Sequence, residues 1–184
     1  MKKVVISVLG QDRPGIIAKV SSVLFRQECN IENVSQTILQ SEFSGIFIVT
    51  IPLEISIEQL NKLLQQQTQP LGLHVYAKYL EESETPFKVH KSAPFVITTR
   101  GPDRKGLVAS ITEIIARHQV NVSNLKAVFK GGDDPDKNIM IYEVDIPESA
   151  DQKELETELR EKAEELGLQI SIQHRKIFEA INRI

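Results

Sequence analysis

An internal repeat is the feature that most constrains what this chain of 184 residues can fold into. When residues 4–39 are aligned with residues 95–130, ten of the 36 pairs are identical. Typical residue usage of roughly 6% per type predicts about two such pairs by chance. The identical pairs are Val5/Val96, Ile6/Ile97, Gly10/Gly101, Asp12/Asp103, Arg13/Arg104, Gly15/Gly106, Ala18/Ala109, Arg26/Arg117, Asn30/Asn121 and Asn33/Asn124. The chain therefore contains two copies of one module.

The correspondence continues to the end of each copy. After a loop that is longer in the second copy, residues 130–136, the shift between aligned positions increases, and Ile51 and Pro52 then align with Ile146 and Pro147. This alignment predicts an N-terminal domain at residues 1–80, a charged linker at 81–93 and a C-terminal domain at 94–184.

Each copy predicts six elements in the order βαββαβ. The first helix of each copy follows a glycine, and its apolar residues recur on one face of an amphipathic helix: Ile16, Ile17, Val20, Val23 and Leu24, or Leu107, Val108, Ile111, Ile114 and Ile115. The second helix begins with a capping-box spacing, Ser56 with Gln59 and Asp151 with Glu154. The predicted strands cover residues 4–9, 31–39, 45–51 and 73–79, and residues 95–99, 122–129, 139–146 and 168–172, with residues 41–44 as the first hairpin turn.

This order predicts an α+β fold made of two ferredoxin-like domains, each an antiparallel sheet with both helices on one face. The third strand of each domain, at residues 46–49 and 139–142, is apolar without alternation, so both of its faces need cover. Because the helices cover one face only, we expect the other to meet the second domain or another chain. The sequence thus predicts a pseudo-symmetric pair within the chain and a homodimer.

Composition argues against several function classes. A formal net charge of −3 leaves no basic excess for a nucleic-acid backbone, so we expect no direct contact with nucleic acid. The single cysteine cannot form an intrachain disulfide, and no apolar run approaches the roughly 18 residues of a membrane span. With charged residues close to the N-terminus and no signal-peptide pattern, we expect a cytoplasmic protein without membrane contact.

No catalytic or metal-ligating set stands out. Cys29 follows a predicted helix, its counterpart is Val120, and we interpret it as a small buried side chain. The four histidines, His74, His90, His118 and His174, lack metal-ligand spacing. We therefore predict no catalytic residues, no metal and no cofactor.

The repeated residues without an obvious core role join the first strand to the first helix. Two interpretations of this loop are open. In the structural one, Asp12 caps the helix, Pro14 occupies its first turn and Gly15 allows an unusual backbone angle. In the ligand-binding one, helix N-terminal N–H groups and Arg13 hold a carboxylate, while Asp12 and Asn30 hold an ammonium group. Asn30 is predicted at the far end of the helix, so it would complete a site on its own domain only by starting the adjoining second strand, and we favour contact with a loop across an interface.

The stretch from Asp12 to Val20, with Asn30 eighteen residues after the aspartate, resembles the ACT domain, a small-molecule-sensing βαββαβ module. The tandem arrangement is similar to the glycine cleavage system transcriptional repressor family. The resemblance implies an amino-acid site at a domain interface, formed by Asp12, Arg13, Pro14, Gly15, Ile16 and Asn30, and in the second copy by Asp103, Arg104, Gly106, Leu107 and Asn121. The two loops are not equivalent, because Lys105 replaces Pro14 and Arg100 replaces Leu9.

The leading hypothesis is a non-enzymatic sensor of glycine or a similar amino acid that acts through a regulatory protein partner, as a transcriptional regulator of the glycine cleavage system. One alternative is a structural interaction module, or a regulatory partner of an amino-acid-metabolism enzyme, that senses no ligand. Its interface would use Ile177, Phe178, Ile181 and Ile184, which have helical spacing, and packing of these residues on their own domain is an equal alternative. A further alternative is an enzyme or RNA-binding protein of the same topology, for which Phe47 and Tyr142 of the third strands, in a chain of net acidic charge, are poor evidence.

Overall fold

The computed structural model of the chain describes residues 2–80, 91–128 and 138–181. The chain divides into two compact units, Met1–Glu84 and Thr85–Ile184. Most of the predicted linker, the predicted loop at 130–136 and Ile184 lie outside the described residues. The first strand of the second unit begins at Ser92, two residues before the predicted start of that domain.

The first unit contains four strands and two α-helices. In chain order these are β1 (Lys2–Gln11), α1 (Ile16–Arg26), β2 (Asn30–Leu39), β3 (Glu42–Ile51), α2 (Ile57–Thr68), a 3-10 turn at Gln69–Leu71, and β4 (His74–Tyr79). The strands form one antiparallel sheet in the order β2-β3-β1-β4. This is the predicted ferredoxin-like layout.

The second unit repeats it and adds a short helix. Its elements are β5 (Ser92–Gly101), α3 (Leu107–Arg117), β6 (Asn121–Val128), β7 (Asn138–Pro147), α4 (Gln152–Glu165), β8 (Gln169–His174) and α5 (Arg175–Ile181). The sheet order is β6-β7-β5-β8, again antiparallel. The predicted fold of two βαββαβ modules is confirmed.

Two boundaries differ from the prediction. Gly10 and Gln11 were predicted in the loop, but they extend β1 and pair with Phe43 and Glu42 of β3. The first hairpin turn is correspondingly shorter than residues 41–44. It consists of Gln40 and Ser41, with Gln40 in the left-handed region at φ 56°. The loop that precedes α1 therefore starts at Asp12.

Each unit has its own hydrophobic core between the sheet and the helices. In the first unit α1 contributes Ile16, Val20, Val23 and Leu24, as the apolar spacing predicts, while Ile17 is only partly buried. In the second unit α3 contributes Leu107, Ile111, Ile114 and Ile115. The buried first residue of each helix anchors the loop before it to the core.

The predicted capping box at α2 is confirmed. The Ser56 hydroxyl accepts a hydrogen bond from the Gln59 backbone N–H at 3.2 Å, and the Gln59 side-chain oxygen accepts one from the Ser56 N–H at 2.9 Å. At α4, Asp151 accepts from the Glu154 N–H at 3.0 Å, and no return bond from Glu154 is among the described contacts.

We expect the Ser56→Ala variant to lose about 1 kcal/mol of unfolding free energy, because it leaves N–H groups of the first helical turn without a side-chain acceptor. Urea denaturation followed by circular dichroism measures the change. Gln66→Ala, at an exposed position of the same helix, serves as the control and should stay within about 0.5 kcal/mol of the unsubstituted protein. Equal losses from both variants would contradict the capping role.

The face of each sheet opposite the long helices is covered differently in the two units. In the second unit α5 lies against β5 and β8, Val96 on this face is buried, and Arg175 lies 3.3 Å from Glu143. In the first unit Leu9, Ile46 and Tyr76 stay exposed on this face. Helix α5, which carries Ile177 and Phe178, thus packs on its own domain, whereas in the first unit the described residues leave the face open.

Candidate functional site

The loop between β1 and α1 ends in an uncapped helix N-terminus. Gly15 is the N-cap residue of α1, with φ 96° and ψ −2°, and no side chain accepts a hydrogen bond from the first turn. The structural interpretation of Asp12 as the helix cap is therefore wrong, while the unusual backbone angle of Gly15 is confirmed. Asp12, Arg13 and Pro14 are all exposed, and the Asp12 N–H donates to the Ser41 carbonyl at 2.7 Å.

The second unit repeats this geometry. Gly106 is the N-cap residue of α3 at φ 87°, again without a side-chain cap. Asp103 and Arg104 are exposed, and Leu107 is buried. A pocket of about 470 Å³ opens here, lined by Asp103, Arg104, Gly106, Leu107, Val108, Ala109 and Met140. Backbone N–H groups of a first helical turn with no intrahelical partner, next to an arginine, favour an anion such as a carboxylate.

We expect Gly15→Ala to lower the free energy of unfolding by about 1–2 kcal/mol through backbone strain alone. A Cβ at this position meets no atom within 4 Å, so crowding plays no part. Gly72→Ala is the matched comparison, because Gly72 also has open space but adopts φ 67° and ψ 26°, close to the ordinary left-handed region. Thermal unfolding should show the larger loss for Gly15→Ala, and the reverse order would contradict the strain argument.

Asn30 lies at the other end of the sheet from the loop. It is the first residue of β2 and pairs with Thr50, which pairs with Lys3 of β1. The eight residue steps from Lys3 to Gln11, at about 3.3 Å each, separate Asn30 from Asp12 by roughly 26 Å. Within one unit the structure does not bring the two predicted groups together.

Asn121 is placed in the same way. It pairs with Asp145, which pairs with Pro94 of β5, seven steps or about 23 Å before Gly101. The loop residues Asp103 and Arg104 follow Gly101 directly. A site that uses both the loop and the asparagine therefore needs a second module, which agrees with the sequence-based expectation that the asparagine reaches across an interface.

A bulge follows each of these asparagines. The register of β2 shifts between Ile31 and Asn33, and that of β6 shifts between Val122 and Asn124. In the first unit the extra residue, Glu32, lies 2.8 Å from the Lys3 ammonium and accepts from the Thr50 hydroxyl, and these two contacts lower the pKa of the Glu32 carboxyl. The bulge thus holds the start of the edge strand against its neighbours.

Sequence reasoning missed two buried polar residues of the second unit. Asn138 and Thr99 lie on the helix-facing side of the sheet and are buried. The Asn138 amide has no hydrogen-bond partner among the described residues, and the Thr99 hydroxyl lies close to the Tyr142 phenol. The aligned positions of the first unit are Phe43 and Val8. An asparagine aligned with a core phenylalanine was the signal available in the sequence.

The other chemically reactive side chains that the structure describes form no cluster. Cys29 is half-buried, and burial raises the pKa of its thiol, which favours the less nucleophilic protonated form. His118 lies 3.3 Å from Glu158, and His174 packs edge-on against Phe95. Within residues 2–80, 91–128 and 138–181, no group of three or more His, Cys, Asp or Glu side chains could hold a metal ion.

A larger pocket, of about 650 Å³, contains none of the predicted site residues. It lies at the C-terminal end of α1 and along α2, lined by Arg26, Gln27, Glu28, Pro52, Glu54, Ile55, Gln59, Lys62, Leu63 and Gln66. Across the described parts of the chain, no helix is both long enough and apolar enough to span a bilayer.

Comparison with known proteins gives matches over both units. The sequence model of the ACT domain matches residues 2–78 and 93–173. A UPF0237 protein of Pyrobaculum aerophilum is 40% identical over 82 residues, which cover 44% of this chain and 91% of that protein. A UPF0237 protein of Methanopyrus kandleri is 38% identical over 80 residues, covering 43% of this chain and 89% of that protein.

Two solved structures match nearly the whole chain. A protein of unknown function from Galdieria sulphuraria has a TM-score of 0.73 at 22% identity, covering 94% of this chain and 98% of that one. A provisionally assigned glycine cleavage system transcriptional repressor has a TM-score of 0.69 at 20% identity, covering 94% and 96%. At these identities the two structures show a shared fold.

Proposed function

This chain belongs to the ACT-domain family, and from that premise we propose that it is a non-enzymatic regulatory protein that senses a free amino acid, glycine or a similar one. The observation that carries the proposal is the pair of uncapped helix N-termini, at Gly15 and Gly106, each preceded by an Asp and an Arg. Their N–H groups and the arginine suit a carboxylate, and the aspartate suits an ammonium group. These are the two charged ends of an amino acid.

The proposal includes a homodimer, because the asparagines that would complete the site lie at the opposite end of each sheet. Strand β2 provides the surface for a second copy. It is a ten-residue edge strand exposed along almost its whole length, and Val34 and Ile38 are 48% and 50% exposed. A long edge with apolar side chains favours pairing with another chain.

We expect the Val34→Lys/Ile38→Lys double variant to raise the dimer dissociation constant at least tenfold, because edge lysines oppose strand pairing and would have to be desolvated. Sedimentation equilibrium measures the constant. Gln66→Lys, a charge added on the exposed surface of α2, is the control and should leave it unchanged. A wild-type chain that stays monomeric at about 100 μM, or a double variant with unchanged affinity, would contradict this interface.

Regulation of transcription of the glycine cleavage system is the biological role we propose, with the signal passed to a protein partner in the cytoplasm. The fold shared with the provisionally assigned repressor supports this role. The net charge of −3 supports a protein rather than a nucleic acid as the direct partner.

The test is a thermal-shift screen of the full chain against each of the twenty amino acids at millimolar concentration. Glycine has five heavy atoms, and a ceiling of about 1.5 kcal/mol per atom limits its dissociation constant to several micromolar at best, so lower concentrations would miss it. At about 100 times the dissociation constant, a ligand stabilises the folded state by about 2.7 kcal/mol. Asp12→Ala with Asp103→Ala should abolish the shift, and the absence of any shift in the wild type would contradict the sensor proposal.

A further inference from the structure

Asn138 is a buried amide without a protein partner. It is 4% exposed at the start of β7, and neither its oxygen nor its nitrogen makes a hydrogen bond to a described residue. A buried amide that gives up water without a replacement costs free energy, so most such groups have a partner. An unpaired one in a folded protein indicates a water or a ligand as its partner.

The surroundings of Asn138 are also polar. Its direct neighbour on β5 is Gly101, which carries no side chain, and two positions further along β7 on the same face is Met140, opposite Thr99. The Thr99 hydroxyl is fully buried and lies close to the Tyr142 phenol. An unpaired amide and a buried hydroxyl therefore lie diagonally across the β5–β7 ladder, on the helix-facing side of the sheet.

In the first unit an aromatic ring occupies the position that corresponds to Asn138. Phe43 replaces Asn138, Gly45 replaces Met140 and Val8 replaces Thr99. The Phe43 ring lies so close over Gly45 that a Cβ there would be 2.9 Å from the ring Cζ. Since the two units share one backbone layout, the polar side chains are a specific difference of the second unit rather than a requirement of the fold.

Met140 connects this polar pair to the pocket at the start of α3. The same pocket of about 470 Å³ is lined by Met140 and by the first helical residues Leu107, Val108 and Ala109, whose N–H groups no side chain caps. Asn138 lies on the same helix-facing side of the sheet as Met140, next to the loop end. Asn138 does not itself line the pocket, so the substituent of a ligand whose carboxylate occupies the helix N-terminus would meet Met140 first and reach the amide by displacing that flexible side chain.

The geometry points to Asn138 as the residue that selects the ligand of the second unit, with Thr99 beside it. This inference rests on the proposed amino-acid-sensing function and makes it more specific. The pocket takes a small carboxylate ligand whose side chain carries a hydroxyl or an amide, because Asn138 can both donate and accept a hydrogen bond. In the first unit Phe43 offers no such partner, so that unit makes no such distinction.

The experiment uses isothermal titration calorimetry on the full chain with pairs of ligands of similar shape. The pairs are threonine with valine, serine with alanine, and asparagine with leucine. For at least one pair we expect the polar member to bind at least tenfold more tightly, since an apolar ligand leaves the amide unpaired. Asn138→Leu should remove that preference, and Phe43→Leu, the matched change in the first unit, should leave it intact.

The outcomes separate this inference from the proposed function. If no amino acid binds the wild type, the sensing function itself fails. If amino acids bind but without a polar preference, or if Asn138→Leu keeps that preference, the sensing function stands and the role of Asn138 is overturned, its partner then being a trapped water. Circular dichroism checks that Asn138→Leu folds. If it does not, Thr99→Val, which introduces the counterpart residue of the first unit, should reduce the preference at least threefold, and an unchanged preference would overturn the inference.

Discussion

The Gly101→Val variant is expected to lose about 3 kcal/mol of unfolding free energy, because the strand passes too close to the turn before β8 to leave room for a side chain. A Cβ at Gly101 would lie 2.7 Å from Leu168 Cδ2, 3.0 Å from the Gly167 carbonyl oxygen and 3.3 Å from Leu168 Cα. Two of these three atoms belong to the backbone, so a rotamer change cannot relieve the contact. Gly10 meets Gly72 and Leu73 in the same way.

Urea denaturation of three variants tests this account. Gly101→Val combined with Leu168→Ala removes the side-chain contact but not the backbone contact, so the coupling between the two substitutions should recover only part of the loss. Ser7→Val places the same residue type on the exposed face of β1 and should change stability by less than about 0.5 kcal/mol. A Gly101→Val protein within 1 kcal/mol of wild type would contradict the close approach.

This contact also explains why the loop occupies the same place in both units. Gly10 or Gly101, at the end of the strand before the loop, lies against the turn that precedes the last strand, and the residue after the loop, Ile16 or Leu107, is buried in the core. Between these two anchors the backbone reaches the helix through a glycine with positive φ. The exposed Asp and Arg are therefore carried on a loop that is held at both ends.

The sequence predicted the elements well where periodicity or pairwise spacing determines structure. The apolar face of α1 and the Ser56–Gln59 capping box depend on residues a few positions apart, so local pattern suffices. It failed at Gly10 and Gln11, whose residue types do not favour strand. There the ladder to Phe43 and Glu42 extends β1, and such cross-strand pairing is not visible along one segment.

The site was predicted in part for the same reason. The separation of Asn30 from Asp12 follows from the order of the elements, and the strand register places the two residues at opposite ends of the sheet. The prediction that Asp12 caps the helix was wrong. Gly15 is the N-cap residue, and its positive φ turns the chain into the helix without a side-chain acceptor. Asn138 was missed because its buried position opposite Gly101 follows from the pairing of β7 with β5, and no periodicity marks a polar residue that faces the core.

The stability of the second unit is expected to fall between about pH 10 and pH 12 because of Tyr142. Its side chain is fully buried, and burial raises the pKa of the phenol to about 12, an effect that the nearby Thr99 hydroxyl partly offsets. In the unfolded chain a tyrosine ionises near pH 10. Above that pH the unfolded state gives up the proton while the folded state keeps it, so the folded state binds more protons and stability falls as pH rises. A pKa difference of about 2 corresponds to about 2–3 kcal/mol.

Tyr142→Phe isolates this effect, because it introduces the residue that the first unit has at the aligned position, Phe47, and leaves every other ionisable side chain of the protein in place. The hydrogen bond that the phenol donates to Met140 Sδ, 3.3 Å away, is also lost, but that loss is the same at every pH below 10. Urea unfolding at intervals from pH 8 to pH 12 should therefore give two curves that run parallel up to about pH 10 and then converge or cross as the wild type loses stability faster. Curves that stay parallel to pH 12 would contradict this prediction. They would show that water reaches the Tyr142 phenol in the folded state.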